Sequence, residues 1–287
     1  MYFAVERTQR DVAYQLGKEI SGSASLKWMA LIDGAFDYGQ QQAEWQQNAI
    51  PLYKRGGTLQ DLSEASPYLI QLDPHSPSLL SSLRVLLAHC SGRPMLSFIA
   101  SHAAPQKLCD SWQDCLWATL DTEAPYLLRF ADTRVLPVLA EFLAPATWAR
   151  LAEGVQSWHI VDRSGSLESM PCGTGVASLS GRIQLSQEEL GNLLHATLPD
   201  TVIEVVHQNM PDLLHQRKPS ELHKRARLIC DLASKHDADA LPDIVALMTF
   251  ELVTGWDVAE EPKIGALLRS RAWRRGSLIE KLDELVE

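Results

Sequence analysis

The chain has 287 residues, 46% of them hydrophobic, which is enough for one large domain or two ordinary ones and too apolar for disorder in bulk. Lys and Arg number 26 against 36 Asp and Glu, and the formal net charge of -10 argues against a general nucleic-acid binder, which needs a basic face to displace counterions. The same balance suits a protein that stays unaggregated while it handles a sticky client.

The opening residues, Met1-Tyr2-Phe3-Ala4-Val5-Glu6-Arg7, meet charge almost at once. They lack the basic stretch followed by an apolar one that marks a secretory leader. No apolar run approaches the ~18 residues of a membrane span, so no membrane insertion is expected. Cys90, Cys109, Cys115, Cys172 and Cys230 are odd in number and irregularly spaced, the usage of reduced thiols rather than a disulfide framework. The expected compartment is the cytoplasm.

The first half reads as mixed α/β. Trp28-Met29-Ala30-Leu31-Ile32 is a continuous apolar run stopped by Asp33-Gly34, the pattern of a strand buried on both faces. Similar runs are Tyr68 to Leu72, Met95 to Ile99, Tyr126 to Phe130 and Trp158 to Val161, each of strand length. Between them Leu79, Leu80, Leu83, Leu86 and Leu87 fall at helical spacing, as do Leu136, Leu139 and Leu143. Alternation of this kind predicts a largely covered sheet. Pro67 and Pro125 each precede a Tyr-Leu pair, and a missing N–H does least harm where a strand begins.

From Arg163 to Gly181 glycines and serines crowd together with Pro171, which predicts a hairpin and linker. Beyond it the pattern is helical. Ser186 and Glu189 form a capping box ahead of Leu190, Leu193, Leu194 and Leu198. A second segment carries Val202, Val205, Val206, Leu213 and Leu214, a third Leu222, Ala226, Ile229 and Ala233. A fourth, Leu241 to Leu252, is closed by Gly255 as a C-cap, and Pro262 opens a short helix. The last begins at a second capping box, Ser277 with Glu280. The expected class is α+β or mixed α/β: an N-terminal mixed-sheet domain with flanking helices over 1–165, a hairpin and linker over 166–184, and an all-α bundle over 185–287.

Chemistry-bearing motifs are weak. Gly173-Thr174-Gly175-Val176-Ala177-Ser178 lacks the third glycine of a dinucleotide fingerprint and reads as a turn. His207, His215 and His223 recur every eight residues, but Pro211 and Pro219 interrupt any helix that would align them, and Cys109 and Cys115 miss the spacing of structural zinc ligands. His89-Cys90, with His102, can be read as a thiol and its base, although a buried inert thiol is the commoner outcome. No catalytic residue, cofactor or metal is therefore expected. Arg269, Arg271, Arg274 and Arg275 around Trp273 read either as a solvated helix end or as a partner patch, because Arg and Trp are typical interface anchors.

Three blocks carry a resemblance. Leu31-Ile32-Asp33-Gly34-Ala35, Pro67-Tyr68-Leu69-Ile70-Gln71-Leu72 and Arg129-Phe130-Ala131-Asp132-Thr133-Arg134-Val135-Leu136 resemble, in order and separation, blocks of the type VI secretion adaptor family, formerly a domain of unknown function encoded beside spike and effector genes. Ser66 and Thr133 depart from the family's Ala and Pro. The resemblance covers about 26–145. It implies a non-catalytic chaperone that binds a toxic effector and loads it onto the VgrG spike, and it marks Asp33, Gly34, Pro67, Tyr68, Arg129, Asp132 and Arg134 as structural or partner-binding positions. An Arg/Asp group where a strand meets a helix commonly pairs internally and caps that helix. The alternatives are a small-molecule enzyme with a Cys/His site in the α/β part, and a structural subunit of the secretion assembly.

Overall fold

The computed structural model describes residues 2–40, 48–54, 57, 59–120, 125–172, 181–215 and 217–286. Its strands are β1 Lys27–Ile32, β2 Ile50–Pro51, β3 Tyr68–Leu72, β4 Leu96–Ser101, β5 Trp117–Thr119, β6 Tyr126–Leu127, β7 Val155–Val161, β8 Leu167–Met170 and β9 Ile183–Gln184. Its α-helices are α1 Val12–Gly22, α2 Leu79–Cys90, α3 Pro105–Ser111, α4 Val135–Phe142, α5 Pro145–Leu151, α6 Gln187–Asn209, α7 Pro219–Lys235, α8 Leu241–Thr254, α9 Pro262–Ser270 and α10 Leu278–Asp283. They form two compact units, Arg7–Leu193, and Met1–Glu6 with Leu194–Glu287. A mixed-sheet unit with flanking helices and a helical C-terminal unit is the class the sequence predicts.

The first unit is built on a six-stranded sheet in the order β2-β3-β1-β4-β7-β8, antiparallel at every pairing. Side chains alternate across a strand. Met29 and Leu31 of β1 face one core, with Trp112, Phe130, Trp148 and Trp158. Trp28, Ala30 and Ile32 face another, beneath Val12, Leu16 and Ile20 of α1 and Leu83, Leu86 and Leu87 of α2. The central strands β1 and β4 are mostly apolar because both of their faces are covered. In the aromatic core Trp158 lies 5.7 Å from Trp112 and 6.2 Å from Trp148 between ring centres. Each indole N–H is satisfied: Trp158 donates to Ser97 Oγ (3.0 Å), Trp112 to the Leu151 carbonyl and Trp148 to the Pro171 carbonyl (both 2.9 Å).

The run Tyr126 to Phe130 is a strand only as far as Leu127, which corrects the expected five-residue length. It pairs with β5 in a separate three-stranded sheet, and beyond it Asp132 N–H turns back onto the Arg129 carbonyl (3.0 Å). Within 166–184, β8 pairs with β7 and β9 runs parallel to β5, so the described parts of that stretch are tied to the sheets. The Gly173–Ser178 turn lies outside the described residues.

Leading into the helical unit, the first expected segment and the Val202–Val206 part of the second are one helix, α6, which continues through Pro199, whereas Leu213 ends a separate 3-10 turn, Pro211–Leu213, with Leu214 after it. A proline removes one N–H and crowds the preceding turn, yet burial of Pro199, Val202, Ile203 and Val206 on one face holds the helix together. The Ser186–Glu189 box is present in both directions: Glu189 N–H donates to Ser186 Oγ (3.1 Å) and Ser186 N–H to the Glu189 carboxylate (2.7 Å). The Ser277–Glu280 box is absent. Asp243 of α8, fully buried, accepts instead from the N–H groups of Gly276 (2.8 Å) and Leu278 (2.9 Å), so a residue distant in sequence caps α10. Glu251, also on α8, is 2% exposed and takes a bidentate pair from Arg225 (2.8 and 2.5 Å). Residues 2–6 belong here too: Tyr2 stacks on His207 (5.5 Å), its N–H reaches Glu204 (3.2 Å), and Ala4 is buried in the helical core.

One buried base in the sheet unit is set against protonation. His159 of β7 stacks on Trp28 (5.9 Å), its Nδ1 lies 3.1 Å from Ser169 Oγ, and its Nε2 lies 3.0 Å from a Glu19 oxygen of α1, poorly aligned for a hydrogen bond. Burial pushes its pKa below the usual histidine value, with Glu19 opposing. A depressed folded-state pKa means the native protein binds fewer protons than the unfolded chain, so this group's stabilisation is present above pH ~6.5 and is lost as pH falls below it. Denaturant unfolding between pH 7.5 and 5 should give a steeper loss for the wild type than for His159→Gln. The difference is bounded by one proton, about 1.4 kcal/mol per pH unit. Parallel curves would contradict the assignment.

Candidate functional site

The seven resemblance positions converge at one end of the main sheet. Where β1 ends, Asp33 donates its N–H to the Met95 carbonyl (2.8 Å) and stays tied to the start of β4. Its carboxylate, 1% exposed, accepts from Ala35 N–H (3.1 Å) and from the Arg129 guanidinium (2.7 Å). Burial pushes the Asp33 carboxyl above the usual carboxylate range, and the adjacent Arg129 works against that shift.

Gly34 is required by close approach. A Cβ there would sit 2.2 Å from the Ser66 carbonyl oxygen and 3.3 Å from the Tyr68 ring. Ser66, in turn, accepts from Tyr53 N–H (2.9 Å) and donates to the Pro67 carbonyl (2.7 Å), which also takes Leu52 N–H (2.8 Å). The departure at Ser66 thus adds two hydrogen bonds that an alanine could not make. Pro67 lies immediately before β3, and Pro125 immediately before β6.

The 3-10 turn Gly34–Asp37 delivers two residues that the sequence reading missed. Phe36 lies under both guanidinium groups, 5.4 Å from Arg129 and 5.7 Å from Arg134. Asp37 accepts from Arg93 (2.7 Å) and Tyr68 OH (3.4 Å) and lies 3.0 Å from His89 Nε2. Arg93 also donates to the carbonyls of Phe36 (3.2 Å) and His89. Asp132, 1% exposed, accepts from Arg134 N–H (3.0 Å) and from its guanidinium (3.1 and 2.7 Å). Its own carbonyl accepts from Leu136 N–H (3.0 Å) at the start of α4, and Thr133 N–H bonds the Pro94 carbonyl (3.0 Å).

Three carboxylates, buried at Asp33 and Asp132 and partly buried at Asp37, are therefore set against three guanidinium groups and an imidazole, around one phenyl ring. Arg129, 39% exposed, is the member of this set that reaches furthest into water. Chemically the arrangement holds three chain segments in register and balances its charge internally. Only the spacing of Asp33 and Asp37, four residues apart in one turn, hinted at the second acid. Nothing local in the sequence points His89 or Arg93 at it.

The His89–Cys90 pair has a different geometry from a thiol and its base. His89 faces Asp37, while burial pushes the Cys90 thiol up to about 12. Cys109 and Cys230 are likewise pushed up to about 12, and Cys115 and Cys172 are raised by burial. His207 stacks on Tyr2 and His223 lies 3.9 Å from Asp200. Among the described residues no group of three or more His, Cys, Asp or Glu could hold a metal ion. Nor is any described helix long and apolar enough to cross a membrane.

In the helical unit Arg269, Arg271, Arg274 and Arg275 are all exposed, and Trp273 is half-buried against the helical core. Arg271 pairs with Asp237, and Arg275 with Asp239 (3.0 Å).

Among families, one described as a domain of unknown function (DUF4123) matches residues 28–150, a stretch that includes all seven resemblance positions and amounts to less than half of the chain. No curated protein and no solved structure matches it.

Gly34→Ala should lose about 2–3 kcal/mol in denaturant unfolding, since backbone must move to admit the methyl. Gly191→Ala, in α6 with open space around its Cα, should gain roughly 0.5–1 kcal/mol. Equal effects at the two positions would refute the close-approach argument. At pH 8 an aromatic disulfide reagent should titrate less than one thiol of the native protein within minutes and all five after denaturation. A fast native thiol would revive the nucleophile reading.

Proposed function

We propose that this protein is a non-catalytic adaptor, acting in the manner of the type VI secretion adaptors that its motifs resemble: it binds a toxic effector in the cytoplasm and loads it onto the VgrG spike. The observation that carries the reading is how the resemblance residues are used. Asp33, Arg129, Asp132 and Arg134 are engaged with one another, and Gly34 and Pro67 set backbone contacts. A nucleophile or general base needs an open face toward substrate and a pKa near the working pH. These groups instead hold β1, β3 and the segment before α4 in fixed relation, as a rigid platform for recognition requires. The family match over 28–150 covers the same three blocks.

Co-purification tests it. Tagged full-length chain, co-expressed with a VgrG protein and an effector encoded beside its gene, should retain both through a high-salt wash. Arg129→Met, which leaves the Asp33 carboxylate buried without its guanidinium, should lower the melting temperature and weaken retention together. A folded wild-type chain that retained neither protein, or that turned over a small molecule, would overturn the proposal.

A further inference from the structure

We infer that the loop joining α9 to α10, with Trp273 at its centre, is a docking surface for an acidic polypeptide segment. From Pro262 to Leu278 the sequence holds five cations, Lys263, Arg269, Arg271, Arg274 and Arg275, and no Asp or Glu, in a chain of net charge -10. That concentration of one sign against the molecule's overall charge is the first observation.

The second is that the loop is already fixed. Arg271 adopts a left-handed conformation (φ 52°) that ends α9, and Gly276 supplies a second positive φ (87°) before α10. The buried Asp243 carboxylate holds the far end through Gly276 and Leu278, and Trp273 packs its ring against the helical core. A surface ordered in advance loses little entropy when a partner binds.

The third is that its charges are available. The Arg271–Asp237 and Arg275–Asp239 pairs are 61–73% exposed on every side chain, so they are screened and readily exchanged. Arg269 and Arg274 are exposed and form no ion pair with any acid among the described residues. Four exposed arginines within seven residues of chain, with the half-buried Trp273 among them in sequence, suit carboxylates flanking an apolar or aromatic residue, because each guanidinium can take a carboxylate with two hydrogen bonds. A nucleic acid or an anionic lipid surface would also meet the cations, but an extended polyanion has to approach against the field of the whole acidic molecule. A short acidic stretch of a protein does so far less.

The surface does not depend on the adaptor reading, and the two can fail separately. The test uses full-length protein and a fluorescein-labelled decapeptide of alternating Glu and Leu, read by anisotropy at about 0.15 M salt. Its Lys-for-Glu counterpart, a single-stranded oligonucleotide and phosphatidylserine vesicles serve as competing probes. The acidic peptide should bind best. Arg269→Glu with Arg274→Glu should weaken it at least about tenfold, and Trp273→Ala should weaken it as well. Lys218→Glu with Lys224→Glu, an equal charge change at exposed positions at the start of α7, should weaken it by less than about twofold. Unchanged melting temperatures would confirm that the charge variants fold. Absence of peptide binding, equal losses in the two double variants, or tighter binding of oligonucleotide or vesicle would each overturn the inference.

Discussion

Three carboxylates, those of Asp33, Asp37 and Asp132, sit at one end of the main sheet with side chains 1–9% exposed. An ionised carboxylate cannot stay there without partners, since the solvation it gives up exceeds what neutral surroundings return. Everything around that end follows from this requirement. Arg129 and Arg134 must come from the segment before α4, Arg93 and His89 from the end of α2 and the turn after it, and the backbone must bring them within hydrogen-bond distance. Gly34 has to be a glycine so that the turn carrying Asp33 and Asp37 can lie on Ser66. Phe36 fills the space between two guanidinium groups.

Such a network specifies more than it stabilises. Replacing a buried ion set with apolar groups is often neutral or favourable, whereas removing one partner leaves a charge stranded. The partly exposed Arg129 is screened by water, so the greater cost of a lost partner falls on the buried acids. Residues in this role identify a fold and its register, and they say little about what the protein binds. That is why a family match confined to 28–150 goes with a fixed sheet end.

The sequence discloses what burial on both faces imposes and hides what depends on distant chain. β1, β3, β4 and β7 were legible because their apolar residues crowd into short runs, broken only by single polar residues such as Gln71, Ser97 and His159. β2, β6 and β9 are two residues each and leave no periodic trace. The helical unit was legible from its leucine and valine spacing, but the expected separation between Leu198 and Val202 is absent, because α6 runs on through Pro199. At the site, Asp33, Arg129, Asp132 and Arg134 were found as members of motifs, while Asp37, His89 and Arg93 meet only through the fold. The same limit explains α10: Ser277 looks like its cap, yet the acceptor is Asp243, which no local pattern connects to it.

Arginine does opposite work in the two units, and burial of its counter-ions separates the two. Arg129 and Arg134 face carboxylates that are 1% exposed, so their charge is committed and their geometry fixed. Arg271 and Arg275 face carboxylates more than half exposed, and Arg269 and Arg274 are exposed without an ion pair among the described residues. In the first setting a guanidinium holds the fold together; in the second it remains free to exchange a weak partner for a better one. A cluster of the second kind, on a loop held by Asp243 and Trp273 and inside an acidic molecule, creates a local potential that favours an incoming acidic segment. Composition alone cannot make that distinction, because both kinds of arginine count equally toward the net charge.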